Sequence, residues 1–235
     1  ACRGLSPPSE CALPGAQRMS RTARACGSGA MRFAVTELMS VVPQARGPWS
    51  CSCMSEVGYF AGMMNACVRN RDVTELVTRT AVINHGGGRA KIREVAFPEP
   101  VHHLSRIYGT MTGRWPVACT VESPRYSATV RGLPAVEDAP ALDCLALVND
   151  DTSELTLLVL NCRPGHAQAA RIVLNGFAPV ESVRAQTLDA EPAAFNTWNE
   201  PRRVDLHEER VELSEEGVYV FPGGSFTALT YTKRP

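Results

Sequence analysis

The stretch LDCLALVNDDTSELTLLVLN, residues 142–161, predicts two β-strands joined by a tight turn. Apolar residues dominate segments 142–149 and 155–161, and the Asn-Asp-Asp triplet between them is typical of turns. Short strand candidates recur at regular spacing to the end of the chain, at 170–174, 180–186, 203–206, 210–213, 217–221 and 225–232. Many short strands separated by turn residues predict a jelly-roll-like β-sandwich, which we assign to residues 126–235.

The segment before the sandwich alternates between strand and helix patterns. Residues 33–35 form a short apolar run, residues 54–70 place apolar side chains at helical spacing, and the β-branched run 77–83 ends at the glycine-rich loop 84–88. Alternating strands and helices predict a parallel sheet with covered faces, either doubly wound or closed as a barrel. The fold class is therefore α/β plus all-β, with the α/β part at residues 31–125. Residues 1–30 show no periodicity, and we expect a disordered or non-native leader there.

The composition excludes several classes of partner. A hydrophobic fraction of 44% in 235 residues is enough for real cores, and 24 Lys+Arg balance 24 Asp+Glu, so no net field attracts nucleic acid or anionic lipid. No apolar run approaches the roughly 18 residues of a membrane helix. We therefore expect neither nucleic acid nor a membrane as a partner.

The nine cysteines form an odd, irregularly spaced set, which favours reduced thiols and a cytoplasmic location. Cys51 and Cys53 have no second Cys or His pair at ligand spacing, so no metal site is predicted. Without the Lys-Ser/Thr of a P-loop or Rossmann spacing, loop 84–88 predicts no phosphate cradle, and no cofactor is expected.

One carboxylate occupies a position that favours catalysis. Glu37 follows the apolar strand 33–35, and in α/β folds catalytic groups lie at the carboxyl ends of parallel strands. The alternative is an ordinary capping or salt-bridging acid, and position alone leaves both open.

Three further residues are candidates for substrate binding. Asn84 and His85 open the glycine-rich loop, where Asn84 could equally cap the turn, and Trp49 could stack on a sugar. Trp198, between sandwich strands, is expected to pack in the core or at its rim.

Taken in order, the segments resemble the C-terminal portion of an α-L-arabinofuranosidase of glycoside hydrolase family 51. The resemblance covers residues 31–233 and is carried by these segments: FAVTEL (33–38), EVGYFAGMMNACVRNRDVTELVTRTAVINHGGG (56–88), PVHHLSRIYGTMTGRWPVACTVESPRYS (100–127), LTLLVLNCRPGHAQAARIVLNGF (155–177), FNTWNEPRRVDL (195–206) and YVFPGGSFTALTY (219–231). It implies the last strands of a (β/α)8 TIM barrel followed by the sandwich.

The resemblance also implies an activity and a role for Glu37. The family enzyme is a retaining, exo-acting hydrolase that removes terminal non-reducing α-L-arabinofuranosyl residues from oligo- and polysaccharides, and Glu37 matches its nucleophile. The aromatic residue that usually follows is Leu38 here.

The family's acid/base, a glutamate after an asparagine, has no match in residues 1–36, and Asn199-Glu200 lies in the sandwich as a turn. We therefore expect this chain to be a fragment that is inactive alone. The resemblance is compatible with a homo-oligomer of the full-length enzyme. The rival interpretation is a non-catalytic carbohydrate-binding or interaction module, which exposed coplanar aromatic residues on one sandwich face would favour.

Overall fold

The computed structural model describes residues 32–38, 52–80, 82–84, 88–129, 135–177, 180–212 and 216–234. The helices in these ranges are α1 Met54–Arg69 and α2 Pro100–Thr110. The strands are β1 Phe33–Val35, β2 Thr74–Val77, β3 Arg89–Ile92, β4 Val95–Pro98, β5 Trp115–Val117, β6 Arg125–Ala128, β7 Val136–Pro140, β8 Leu142–Val148, β9 Glu154–Asn161, β10 Gln168–Arg171, β11 Val180–Leu188, β12 His207–Arg210, β13 Val218–Phe221 and β14 Phe226–Lys233. The predicted leader 1–30 lies outside the described residues.

A six-stranded antiparallel sheet in the order β12-β11-β14-β9-β8-β5 is the centre of the fold. The β8–β9 hairpin predicted from residues 142–161 is present, with Leu145 opposite Leu158. Its turn is held by Asn149, whose Oδ1 accepts a hydrogen bond from the backbone N of Glu154 at 2.9 Å. The side chain of Asn149 thus supplies the partner that a tight turn needs.

Each face of this sheet carries its own apolar core. On one face the helices pack against the sheet and form the helix-side cluster: Leu38, Met54, Val57, Phe60, Ala61, Val101, Leu104, Ile107, Leu145, Leu147, Leu158, Leu160, Leu188, Ala194, Val204, Phe226 and Ala228. On the other face the β10–β13 pair and adjoining loops cover the opposite cluster: Leu142, Ala146, Leu155, Leu157, Val159, Phe177, Val183, Ala185, Phe221, Leu229 and Tyr231. Alternating side chains of β8 divide between the two clusters, as the period of a strand requires. The predicted β-sandwich is confirmed.

The strand–helix–strand segment predicted near the N-terminal side is also present. β1 and β2 pair in parallel, with Val35 opposite Val77, and α1 connects them. A capping box begins α1, in which the Glu56 carboxylate accepts a hydrogen bond from the backbone N of Cys53 at 2.7 Å. One such unit does not define a barrel, so the barrel remnant and the boundary at residues 125/126 stay predictions. Neither described helix is long and apolar enough to cross a membrane.

Four of the predicted strands are displaced or absent. The run 77–83 forms a strand only as β2, three residues earlier, because the register with the short β1 places Thr74 to Val77 opposite it. The strand expected at 170–174 is β10, and the one expected at 210–213 is β12, which ends at Arg210. In each case the neighbouring strand, not local propensity, decides the bounds.

The strand predicted at 203–206 is wrong. Val204 is buried, but its backbone N donates to Asn196 Oδ1 at 2.7 Å and its O accepts from Asn196 Nδ2 at 2.9 Å. A side chain therefore takes the place of a neighbouring strand, and the apolar pattern belongs to a packed loop. Helix α2 and strands β3 to β7 went unpredicted, although Pro100 at the first turn of α2 is a helix-start signal.

Candidate functional site

Glu37 lies at the carboxyl end of the parallel pair, where its carboxylate faces solvent. Beyond β1 the chain stays bound to the neighbouring segment: Thr78 N donates to Val35 O at 2.8 Å, Thr78 Oγ1 to Thr36 O at 2.6 Å and Thr80 N to Leu38 O at 3.4 Å. Leu38 is 4% exposed and belongs to the helix-side cluster. The buried Leu38 side chain points inward, and that of Glu37 consequently points outward.

The carboxylate of Glu37 has no hydrogen-bond or ion-pair partner among the described residues. Two buried acids elsewhere in the fold do have partners. Glu56 caps α1, and Asp143 is paired with Arg69 and with Asn65. The described part of the chain therefore contains no basic side chain that pairs with Glu37, as the salt-bridging interpretation would require.

Asn84 lies in the turn that leads into β3 and has a positive φ of 60°. Its Nδ2 donates to Lys91 O at 3.0 Å, its Oδ1 accepts from Lys91 N, and its own backbone N donates to Arg89 O at 2.9 Å. These bonds make Asn84 the cap of the turn, which is the alternative that the sequence left open. Its assignment to substrate binding stays a prediction. His85 and Trp49 lie outside the described residues.

A buried carboxylate that the sequence analysis missed holds this region together. Glu99 is 1% exposed, and its Oε1 accepts from Ser52 N at 2.9 Å while its Oε2 accepts from Gly88 N at 3.2 Å. Its backbone N also donates to Gly88 O at 2.8 Å. Glu99 therefore fixes the entry to α1 and the end of the glycine-rich loop relative to each other. Its position directly before Pro100 was the available signal.

Arg79 was missed as well. Its Nη1 donates to Val101 O at 3.1 Å, and its guanidinium lies 5.2 Å above the centre of the Phe60 ring. The pKa of Arg79 is lowered, because burial has a larger effect than the opposing charge of Glu99. Arg79 thus joins the end of β2 to both helices.

Two adjacent histidines at the start of α2 are held neutral. Burial first, and then the charges of Arg89, His103 and other neighbours, lower the pKa of His102 to about 4. Burial also lowers the pKa of His103, against the opposing effect of Asp205, whose Oδ1 lies 3.5 Å from His103 Nε2. Neither imidazole carries a charge at neutral pH, so neither supplies a cation to the site.

The two tryptophans among the described residues lie in different elements. Trp115 lies in the edge strand β5, where its Nε1 donates to Asp150 Oδ1 at 2.8 Å and the Arg71 guanidinium lies 5.7 Å from its ring centre. Trp198 is 63% exposed in the loop between β11 and β12, so it does not pack in the core. Across the described ranges, no three His, Cys, Asp or Glu side chains are grouped to hold a metal ion.

Comparisons with known proteins identify relatives of this architecture. The family model described as the α-L-arabinofuranosidase C-terminal domain matches residues 54–225, more than half of the chain. Among curated protein sequences no match is found.

Several solved structures are similar in fold. The α-L-arabinofuranosidase of Thermotoga maritima, in complex with arabinose, has a TM-score of 0.76 at 22% identity over 89% of this chain and 44% of its own. The family 51 enzyme of Thermotoga petrophila has a TM-score of 0.73 at 22% identity, with the same coverage of 89% and 44%. The family 51 enzyme of Xanthomonas axonopodis pv. citri has a TM-score of 0.71 at 14% identity, over 97% of this chain and 50% of its own. At these identities the likeness establishes the fold, and the chain spans half or less of each relative.

Proposed function

Since the chain belongs to the family of α-L-arabinofuranosidase C-terminal domains, we propose that it forms the C-terminal part of a retaining, exo-acting glycoside hydrolase. The complete enzyme removes terminal non-reducing α-L-arabinofuranosyl residues from arabinose-containing oligo- and polysaccharides. Residues 31–125 contribute the C-terminal part of its (β/α)8 barrel, and residues 126–235 form the sandwich. As a separate polypeptide this chain is inactive.

The observation that carries this proposal is the placement of Glu37. A solvent-facing carboxylate without a partner among the described residues, at the carboxyl end of a parallel strand, fits a catalytic group. The buried Leu38 beside it and the hydrogen bonds from Thr78 and Thr80 hold the backbone on both sides. The carboxylate is thus presented from a rigid support, as a nucleophile requires.

The chemistry assigns Glu37 the nucleophilic step. Its carboxylate attacks the anomeric carbon, the leaving oxygen departs with a proton from a second carboxyl group, and a glycosyl ester forms on Glu37. The second group then deprotonates a water molecule that hydrolyses the ester, with net retention of configuration. In retaining enzymes the two carboxyl groups lie about 5–5.5 Å apart. No Asn-Glu pair occurs in residues 1–36, and Asn199-Glu200 belongs to the sandwich, so we do not assign the second group to this chain.

The substrate class follows from the family. Asn84, His85 and Trp49 remain proposed contacts to the arabinofuranosyl ring, and Gly88, the last residue of the glycine-rich run, is held by Glu99. A non-catalytic module has less support, because the two tryptophans among the described residues lie in different elements, Trp115 in strand β5 and Trp198 in the loop between β11 and β12. The cytoplasmic location and a homo-oligomeric full-length enzyme likewise remain proposals.

The test is a chimera in which residues 32–234 replace the matching part of the Thermotoga maritima relative. The chimera is expected to hydrolyse an aryl α-L-arabinofuranoside, and Glu37→Gln is expected to lower its kcat on the order of 10³-fold or more. Added azide should restore turnover of a Glu37→Ala chimera and yield a glycosyl azide of inverted configuration, because the small anion occupies the space that the truncated side chain leaves and acts as the nucleophile.

The matched control is Glu94→Gln, which changes an exposed glutamate in the β3–β4 turn and should leave kcat unchanged. A folded chimera whose Glu37→Gln variant retains full activity would exclude Glu37 as the nucleophile. Loss of activity without formation of the azide product would assign Glu37 a structural role instead.

A further inference from the structure

Cys144 of β8 and Cys119, two residues beyond the end of β5, face each other at the edge of the six-stranded sheet. The β5–β8 register pairs Trp115 with Val148 and Val117 with Ala146, and its continuation by two residues sets Cys119 opposite Cys144. Their Sγ atoms lie 3.5 Å apart. Side chains directly opposite each other in antiparallel strands have their Cβ atoms about 4.5–5.5 Å apart, close to the about 3.5–4.5 Å span of a disulfide.

The two thiols differ in accessibility and acidity. Cys119 is exposed, and Cys144 is half-buried. Their mutual hydrogen bond lowers the pKa of Cys119, because the Cys144 thiol stabilises the Cys119 thiolate, and the Arg69 guanidinium lowers it further. The same hydrogen bond and burial raise the pKa of Cys144. An exposed, more acidic thiol beside a second, protonated thiol is the arrangement of an attacking and a resolving cysteine.

The other described cysteines lack this arrangement. Cys53 and Cys67 are buried in or beside α1, and burial raises the pKa of Cys67. Cys162 is half-buried and its Sγ contacts a backbone oxygen, that of Leu160, at 4.0 Å. Among the described cysteines, Cys119 and Cys144 are the pair whose Sγ atoms contact each other.

We propose that Cys119 and Cys144 form a reversible oxidation site, in which a peroxide converts the two thiols into a disulfide. The Cys119 thiolate attacks one oxygen of hydrogen peroxide, and the O–O bond breaks. Cys119 becomes a sulfenic acid, and the departing hydroxide takes up the proton that the Cys119 thiol had released and leaves as the first water. The Cys144 sulfur then attacks the Cys119 sulfur, and the S–S bond forms as the S–O bond breaks. The second water carries away the Cys144 proton. Two electrons pass from the two thiols to the peroxide, and a dithiol reductant reverses the change.

The bridge constrains a defined part of the fold. It closes the segment between positions 119 and 144, which contains the β6–β7 hairpin. That hairpin and α1 line a cavity of about 690 Å³, with Tyr59 on the α1 side and Tyr126 and Val136 on the hairpin side. Oxidation therefore ties the cavity wall to the central sheet. This inference stands independently of the proposed glycosidase activity.

The experiment treats the full chain with hydrogen peroxide, blocks the remaining thiols by alkylation and maps the peptides without reduction. Trypsin and a glutamate-specific protease are used together, since cleavage after Glu154 separates Cys144 from Cys162. We expect a Cys119–Cys144 linked peptide that disappears on reduction, and a melting temperature of the oxidised chain about 5 °C or more above that of the reduced chain. Cys119→Ser should lose both effects, and Cys162→Ser should retain both.

Alkylation of both Cys119 and Cys144 after peroxide treatment would overturn the proposal. So would oxidation of Cys119 to the sulfinic acid with Cys144 still free, or a link from Cys119 to a different cysteine. Because Cys119 is exposed, its serine variant should keep the circular dichroism spectrum of the unchanged chain, which separates loss of the bridge from loss of the fold.

Discussion

Replacing Asp143 by alanine is predicted to destabilise the whole protein. Asp143 lies in β8 with 5% of its side chain exposed, forms an ion pair with Arg69 of α1 and accepts from Asn65 Nδ2 at 2.9 Å. Tyr108 of α2 completes the network by donating from its hydroxyl to Asn65 Oδ1 at 2.7 Å. The network therefore joins both helices to the central sheet.

The magnitude follows from what the substitution leaves behind. Removing one partner of a buried ion pair costs about 3–5 kcal/mol, because the other charge stays buried without compensation. Arg69 is 19% exposed and keeps its bond to Cys144 O at 2.9 Å, so the lower end applies. We expect a loss of about 3 kcal/mol, which corresponds to a fall in Tm of about 6–12 °C for a chain of this size.

The assay is urea unfolding at neutral pH, followed by circular dichroism, with the thermal transition as a second readout. The matched control is Asp150→Ala, which removes an exposed ion pair with Arg114 and an exposed hydrogen bond from Trp115 Nε1. With side chains that are 68% (Asp150) and 72% (Arg114) exposed, it should cost at most about 1 kcal/mol. A double-mutant cycle with Arg69→Ala should give a coupling of at least about 1 kcal/mol. An Asp143→Ala variant as stable as Asp150→Ala would refute the claim that this network ties the helices to the sheet.

Three further predictions test other parts of the account. Gly223→Ala should destabilise the chain by about 1–3 kcal/mol, since an added Cβ would lie 2.4 Å from His166 N. Gly109→Ala in α2, with open space around it, should instead stabilise the chain by up to about 1 kcal/mol. Unfolding measurements that rank the two variants the other way would contradict the packing described. The free energy of unfolding should fall as pH drops from about 6.5 to about 4, because the pKa of His102 is about 4 in the folded chain and the unfolded chain binds the proton at higher pH. In urea titrations, His102→Gln should make the free energy of unfolding depend less on pH over this range. The chain alone should show no turnover of an aryl α-L-arabinofuranoside, and a rate well above background that Glu37→Gln abolishes would disprove the need for a second segment.

Local pattern was sufficient for the elements whose partners are close in sequence. The turn residues of the β8–β9 hairpin lie directly between its two strands in sequence. Helix α1 has regularly spaced apolar residues along its length, and its capping glutamate lies in its first turn. The period of two along the strands predicts the sandwich without knowledge of which strands pair. These elements could therefore be predicted with accurate bounds.

The errors arise where distant partners decide. β2 takes its bounds from β1, and Val204 is held by a side chain eight positions away instead of by a strand. α2 is short, and its histidines and arginine obscure the spacing of Val101, Leu104 and Ile107. Propensity within a window carries no information about such contacts.

The candidate site divides in the same way. Glu37 could be singled out because the end of a strand is visible in the sequence, and the resemblance gave it a role. The Glu99 clamp joins residues 47 positions apart, and the Asp143 network joins residues 78 positions apart, so neither could be predicted from local pattern. Asn84 was correctly seen as able to cap its turn, which the bonds to Lys91 bear out.

Covalent trapping of the glycosyl-enzyme tests the assignment of Glu37 most directly. The chimera is incubated with a 2-fluoro-substituted arabinofuranoside that carries a good leaving group, so that the ester forms faster than it is hydrolysed, and is then digested with trypsin. Cleavage after Arg32 and Arg46 releases residues 33–46, in which Glu37 is the sole acidic residue. The account predicts that mass spectrometry finds one added sugar on this peptide and none on the Glu37→Gln chimera; a sugar attached to any other peptide of an active chimera would contradict it.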